Sequence, residues 1–312
     1  MLYHFKKWFF DLNLNEDTYI YFFLVEIKLF FFKKRSFTFH HFHQNSCSTT
    51  ITKSVQISNQ NDDWERLRIS GKDIRIIPKD QGLSINSDFR DLIINLSINN
   101  YHPDNSINSL IINNKNKHIE WFPVPGLMRV LGTIKIGENL LRIENVPVYI
   151  DHVFSGILPF NVPVKKMYWG RLLHPEIRIF FSIVFSAKRE QWSRCFVMIN
   201  SQVLSFTEIR FKKIEGLPDD PDFEREENNY QLIAEDGLTR LLMKIHRLKV
   251  AADGAFIDPE QHKNKYAYRI LNLISKNPRG KKYISNTEVI LDNKNQHYKW
   301  DKLVCIDEYV LF

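Results

Sequence analysis

At 312 residues the chain is long enough for two domains with separate cores, and its 44% hydrophobic and 25% charged content is that of a globular protein. The net charge of +7 reflects 43 basic against 36 acidic residues spread along the chain; with no RNP-type, zinc-finger or helix-turn-helix spacing, no nucleic-acid partner is expected. Cys47, Cys195 and Cys305 are scattered and odd in number, which argues against a disulfide framework and against cysteine metal ligation.

The opening residues lack a long apolar segment and a small-residue cleavage site, so no signal peptide is expected and a cytoplasmic location is. Alternating hydrophobicity predicts strands over Tyr3–Leu12, Thr18–Phe31 and Ser36–His43. The run Tyr19–Phe32 is very apolar, but it carries Glu26 and Lys28 and falls short of the about 20 residues that span a bilayer. Lys33-Lys34-Arg35 is the one tight basic cluster and reads as an exposed turn. In His40-His41-Phe42-His43, His41 and His43 would share a strand face, but no cysteine or acidic cluster accompanies them. A strand end is therefore expected there, and no metal site.

Further strands are predicted at Ser54–Ser58, Trp64–Ser70, Asp73–Pro78, Leu83–Ser87, Leu92–Asn99, Arg129–Ile136 and Leu140–Ile150. Gly126 to Gly132 contains glycines but no P-loop lysine and no strand-loop-helix context, so it does not cradle phosphate. The segment Tyr149-Ile150-Asp151-His152-Val153-Phe154 is the most informative stretch of the chain. An Asp-His pair in an otherwise apolar strand is costly unless both groups have partners. It is either a satisfied structural knot or the polar end of a binding cavity. Strand alternation puts His152 and Phe154 on one face and Tyr149 with Asp151 on the other.

Tyr168-Trp169-Gly170-Arg171 follows; on a strand Trp169 and Arg171, two apart, would present an indole and a guanidinium to one side, and a barrel-closing or inter-domain salt bridge is the plainer reading. Strands are then predicted at Ile177–Ser186, Trp192–Ile199, Gln202–Lys213, Tyr230–Ala234, Thr239–Ala251, Tyr266–Ser275, Tyr283–Leu291 and Leu303–Leu311. Gly137-Glu138-Asn139, Asp236-Gly237, Asp253-Gly254, Pro278-Arg279-Gly280 and Asp292 to Asn295 carry turn chemistry. Asp219–Asn228 is a charged loop or one short helix. Ser155 and Ser182 have no nucleophile elbow around them, so serine hydrolysis is not expected. So many short strands imply successive β-barrels or sandwiches. The boundary is expected near 200–220, where Gly216 to Pro221 breaks the pattern, with domains over 1–205 and 206–312.

The order Glu120-Trp121-Phe122-Pro123-Val124-Pro125, Val130-Leu131-Gly132, Gly137, Tyr149-Ile150-Asp151-His152 and Tyr168-Trp169-Gly170-Arg171 resembles the lipocalin-like carotenoid 1,2-hydratase (hydroxyneurosporene synthase) family, to which certain fungal Diels–Alderases are also similar. Trp8-Phe9-Phe10-Asp11 followed by Thr18–Phe23 looks like the family's first hairpin, Tyr168-Trp169-Gly170-Arg171 like its aromatic-Trp-Gly-Arg turn, and Asp307-Glu308-Tyr309-Val310 like its last strand. The resemblance implies an all-β fold of two tandem lipocalin-like (calycin) barrels. It also implies an apolar isoprenoid or polyene ligand, no cofactor, and cofactor-free alkene hydration or cyclisation. His152 would be the catalytic residue, orienting water or donating a hydrogen bond. Phe154, Tyr168, Trp169 and Ser182 would line the pocket. Asp151 and Arg171 would be structural polar groups.

The chain departs from the family pattern where chemistry is concerned. Phe154 and Ser155 stand where the family has Trp and Gly, and Phe180-Phe181-Ser182 offers no carboxylate where the family has an acid. Protonating an alkene requires a strong donor, usually a carboxylic acid kept neutral by burial. A non-enzymatic lipophile carrier therefore stands beside the enzyme reading. Docking of the basic surplus on an acidic membrane face is a further expectation.

Overall fold

The computed structural model describes residues 3–15, 17–43, 46–56, 67–101, 109–114, 117–158, 161–188, 190–200, 202–213, 229–255, 279–294 and 296–311. Among them there are strands and no α-helix. They form two compact units, Met1–Val162 and Pro163–Phe312.

The first unit contains β1 (Tyr3–Asn13), β2 (Thr18–Leu29), β3 (Phe32–His43), β4 (Ser46–Ser54), β5 (Ile69–Ser70), β6 (Ile74–Lys79), β7 (Gly82–Phe89), β8 (Leu92–Asn99), β9 (Leu110–Asn114), β10 (Lys117–Pro123), β11 (Arg129–Ile136) and β12 (Asn139–Ser155). They form one antiparallel sheet in the order β4-β3-β2-β1-β12-β11-β8-β7-β6-β5, with β10 and β9 branching from β12. Alternation builds its core: in β8, Leu92, Ile94, Leu96 and Ile98 are buried while Asn95 and Asn99 are exposed. Both ends of the sheet feed the same core, since Val55 beyond β4 clusters with Leu67, Ile69 and Ile74. Lys72 N also donates to Gln56 O at 3.4 Å, so the sheet curls into a barrel. A β-bulge between Val130 and Gly132 helps the curl. A Cβ on Gly132, at φ +139°, would lie 2.0 Å from the Asn95 carbonyl oxygen, so the bulge requires glycine.

The second unit contains β13 (Val164–Leu173), β14 (Ile177–Ser186), β15 (Gln191–Ile199), β16 (Gln202–Phe206), β17 (Ile209–Lys213), β18 (Tyr230–Glu235), β19 (Thr239–Ala255), β20 (Arg279–Asn293) and β21 (Gln296–Leu311). Their order is β16-β15-β14-β13-β21-β20-β19-β18-β17. The sheet closes where Gln191 Nε2 and Ser193 Oγ of β15 donate to the carbonyls of Ile209 and Thr207 at 2.8 and 2.6 Å. Two lipocalin-like barrels in tandem result, the fold class that the sequence implies.

Several expectations need correction. The division falls at Val162/Pro163, and the expected break at 205 lies inside β16, which pairs with β15 from Cys195↔Phe206 to Ile199↔Gln202. Tyr168-Trp169-Gly170-Arg171 is the middle of β13, between β14 and β21. The glycine that looked like a turn residue instead makes room for the Phe181 ring. Asp253-Gly254 likewise stays in the ladder, opposite Lys281 and Gly280. Lys33-Lys34-Arg35 opens β3; the turn is Phe30-Phe31, closed by the pair Leu29↔Phe32. The expected strand Tyr266–Ser275, the Gly216–Pro221 break and the Asp219–Asn228 segment lie outside the described residues.

Candidate functional site

β12 changes neighbours along its length. Its first half pairs with β11, and its second half runs between β1 and β10. His152 therefore has Trp8 as its partner on one side and Phe122 on the other. Residues directly opposite across a ladder share a face, so the imidazole is held between two rings. It stacks on Trp8 with centroids 4.5 Å apart and planes at 18°, and on Phe122 at 6.0 Å and 17°. Trp8 belongs to the barrel core, so this is the inner face, and His152 itself is buried.

The registers extend this into rows across five strands. The row holding the imidazole reads Phe37, Leu24, Trp8, His152, Phe122. One row deeper lie Phe39, Phe22, Phe10 and Ile150, all buried, with Phe10 and Phe22 stacked at 4.7 Å. One row outward the character reverses to Arg35, Glu26, Lys6, Phe154 and Glu120. His152 thus sits at the boundary between an aromatic floor and a charged rim.

Glu26 organises the rim. It accepts from Arg35 Nε at 2.5 Å and pairs with Lys33 Nζ at 2.9 Å and His4 Nε2 at 3.0 Å. Burial alone would raise its pKa, but these three donors outweigh burial and hold the carboxyl at about 2. It stays ionised at neutral pH and cannot serve as a proton donor. Glu120 accepts from Ser109 Oγ at 2.6 Å and lies 3.6 Å from His118 Nε2. The His118 ring is 5.5 Å from that of Phe154, while Lys6 Nζ lies 6.0 Å from the Phe154 centroid.

Asp151 points to the opposite face, as alternation requires. Its Oδ2 accepts from Tyr149 OH at 2.9 Å and from Trp121 Nε1 at 3.2 Å. On the same face Tyr19 OH donates to Asp11. Asp151 is thus held by a phenol and an indole.

In the second unit the predicted residues separate. Tyr168 shares the inner face with Leu172 and Phe181, its ring 5.2 Å from Phe211 and 4.9 Å from Tyr309. Burial raises its phenol pKa well above the ordinary value. Trp169, Arg171 and Ser182 lie on the opposite, also buried face, where the Arg171 guanidinium is 5.3 Å and Lys282 Nζ 4.3 Å from the Trp169 ring. Lys282 also donates to Glu308. Adjacent strand residues cannot both face inward, so Tyr168 and Trp169 do not together line this barrel's interior. That interior holds an ion pair the sequence did not single out. Arg247 Nε and Nη2 donate to Asp307 Oδ2 at 2.9 and 2.7 Å, and Ser285 Oγ donates to Oδ1 at 2.6 Å. Burial works against the Arg247 charge, but Asp307 outweighs it and its pKa rises above the ordinary value.

The histidines of β3 do not converge. His40 meets Thr50 Oγ1 at 3.0 Å, His43 meets Thr18 Oγ1 at 3.4 Å, and burial lowers the pKa of His41, helped by His43. No metal-binding group occurs among the described residues. A cleft of about 430 Å³ lies in the second unit, lined by Ser205, Thr207, Glu208, Arg210, Glu235, Asp236 and Gly237. Its charged walls do not suit an apolar ligand, and none of the predicted site residues lines it. Sequence reasoning missed Trp8 and Phe122 as neighbours of His152, and Glu26 and Glu120 as members of the adjoining row. Alternation within Lys6-Lys7-Trp8 and Glu120-Trp121-Phe122 signals a shared face, but only the pairing register brings the strands together.

No known sequence family matches the chain, and no curated protein matches it in sequence. Solved structures do match its fold. CghA in complex with Sch210972 aligns with TM-score 0.65 at 6% identity, over 99% of this chain and 89% of that one. Kievitone hydratase from Nectria haematococca aligns with TM-score 0.57 at 10% identity, over 98% and 88%. An AttH-type protein from Nitrosomonas europaea aligns with TM-score 0.56 at 8% identity, over 99% and 92%. The chain shares the tandem lipocalin-like fold of these proteins along nearly its whole length, in agreement with the resemblance read from its motifs.

Proposed function

We propose that the first barrel binds an apolar, unsaturated ligand of isoprenoid or polyene type and transforms it by cofactor-free hydration or cyclisation. His152 orients water or donates a hydrogen bond to the reacting end. The observation that carries this reading is the imidazole held parallel between Trp8 and Phe122, with aromatic rings beneath it and charges above. Such a row offers an apolar chain a surface to lie on and presents one polar group at a defined depth. Aromatic faces also stabilise positive charge developing on carbon. A hydratase and CghA bound to a small molecule on the same fold support the reading by analogy of fold.

A second reading, a lipophile carrier, is favoured by one observation: Glu26, the acid in the row above His152, is held ionised at about 2. A carboxyl held that low stays ionised at pH 7 and supplies no proton to an alkene. Native mass spectrometry and solvent extraction of the purified protein test for bound ligand, and incubation with the extracted compound tests for a product shifted by water or by ring closure. His152→Ala should retain ligand but lose turnover by about 100-fold or more. Bound ligand without turnover in the wild type would leave the carrier, and an empty protein that binds no polyene would refute both.

A further inference from the structure

We propose that the tip of the β2–β3 hairpin is a docking element for anionic lipid bilayers. Phe30, Phe31 and Phe32 follow one another in the two-residue turn and its closing pair, with exposures of 57%, 99% and 57%, beside the exposed Leu29. Water-exposed apolar residues in such a run mark an interaction site. The backbone strengthens the argument. Phe30 has φ 52°, a left-handed conformation that hairpin turns usually give to Gly or Asn and that is unfavourable for a bulky side chain. Folding alone would favour a small polar residue there, so these rings serve something outside the fold.

The surrounding charge identifies the partner. Lys28 and Lys33 face each other across the ladder directly behind the tip, with the exposed Lys34 beside them. Lys33 also reaches Glu26, while Lys28 and Lys34 sit at the depth that headgroups occupy when rings enter the acyl boundary. A second copy of the chain fits less well. Three rings of about 200 Å² each fall short of the about 800 Å² per partner of a stable dimer, and the flanking lysines would repel their counterparts. Docked this way, the membrane meets the end of the barrel that carries the charged rim, because β2 runs from Leu24 through Glu26 to the tip. Entry of a bilayer-dissolved ligand by that route rests on the ligand reading above; the docking itself does not.

The test is flotation of the full chain with phosphatidylcholine vesicles, with and without phosphatidylserine, and needs no ligand or turnover. Wild-type protein should float with anionic vesicles and be released as ionic strength rises from about 0.1 M to about 1 M, where the Debye length shrinks from about 10 Å to about 3 Å. Phe30→Gly/Phe31→Ser/Phe32→Ser should weaken binding at least about tenfold, and Lys28→Glu/Lys34→Glu should abolish the preference for phosphatidylserine. Phe31→Trp, at a fully exposed position that cannot disturb folding, should show a blue-shifted emission quenched by brominated lipid. Equal flotation of wild type and the triple phenylalanine variant, or an emission from the Phe31→Trp variant that vesicles leave unshifted, would overturn the proposal. So would loss of a dimer in the triple variant with vesicle binding unchanged.

Discussion

Gly170 offers the sharpest check on the β13 register. A Cβ placed there would lie 2.4 Å from Phe181 Cζ, 2.7 Å from Cε1 and 3.1 Å from the Ile306 carbonyl oxygen. Carbon atoms are comfortable at about 3.5–4.0 Å, so the ring edge would have to withdraw by roughly 1 Å. It has little room, because Phe181 is fully buried, lies opposite Cys195 on its other side and packs 6.4 Å from Phe211. Forcing one methyl into such a core costs about 1–3 kcal/mol. Gly170→Ala should lose that amount in urea unfolding followed by tryptophan fluorescence. Phe181→Leu removes the obstructing edge at a cost of about 1 kcal/mol, so the double variant should be more stable than the sum of the two changes by at least about 1 kcal/mol. Gly170→Ala within about 0.5 kcal/mol of wild type, or a strictly additive pair, would refute the placement of Tyr168–Arg171 inside the ladder.

Glu26 should make acid stability measurable. Its folded pKa of about 2 lies below the ordinary 4.5, so its contribution is complete above 4.5 and fades as pH falls toward 2. Allowing for water at the rim, Glu26→Gln should cost about 2 kcal/mol at pH 7 and little near pH 2, read by denaturant melts across that range. Asp307→Asn leaves the buried Arg247 charge without its carboxylate and should cost about 3–5 kcal/mol in the same assay, more than replacing both partners with apolar groups.

The resemblance and the alternation pattern agree with the structure over several whole strands. Leu92–Asn99, Arg129–Ile136 and Ile177–Ser186 have the bounds that period two predicts. Agreement fails where a residue type has two uses. Gly170 and Gly254 read as turns but serve packing and ladder positions, since a missing Cβ permits close approach as well as left-handed backbone. The domain break was misplaced for a related reason: a Pro/Gly-rich segment signals a loop, but not whether strands on its two sides belong to one sheet. β16 and β17 do.

For the site, local pattern determined which way side chains point. His152 and Phe154 share one face and Tyr149 and Asp151 the other because the pleat alternates at every residue, whatever the partner strand. Which rings meet the imidazole was decided only by tertiary pairing. Trp8 and Phe122 lie far from His152 along the chain, and their strands reach it through hydrogen bonds that carry no side-chain code. The ionisation of Glu26 was decided in the same way, by His4 of β1 and Lys33 and Arg35 of β3 converging on it from the strands at either side.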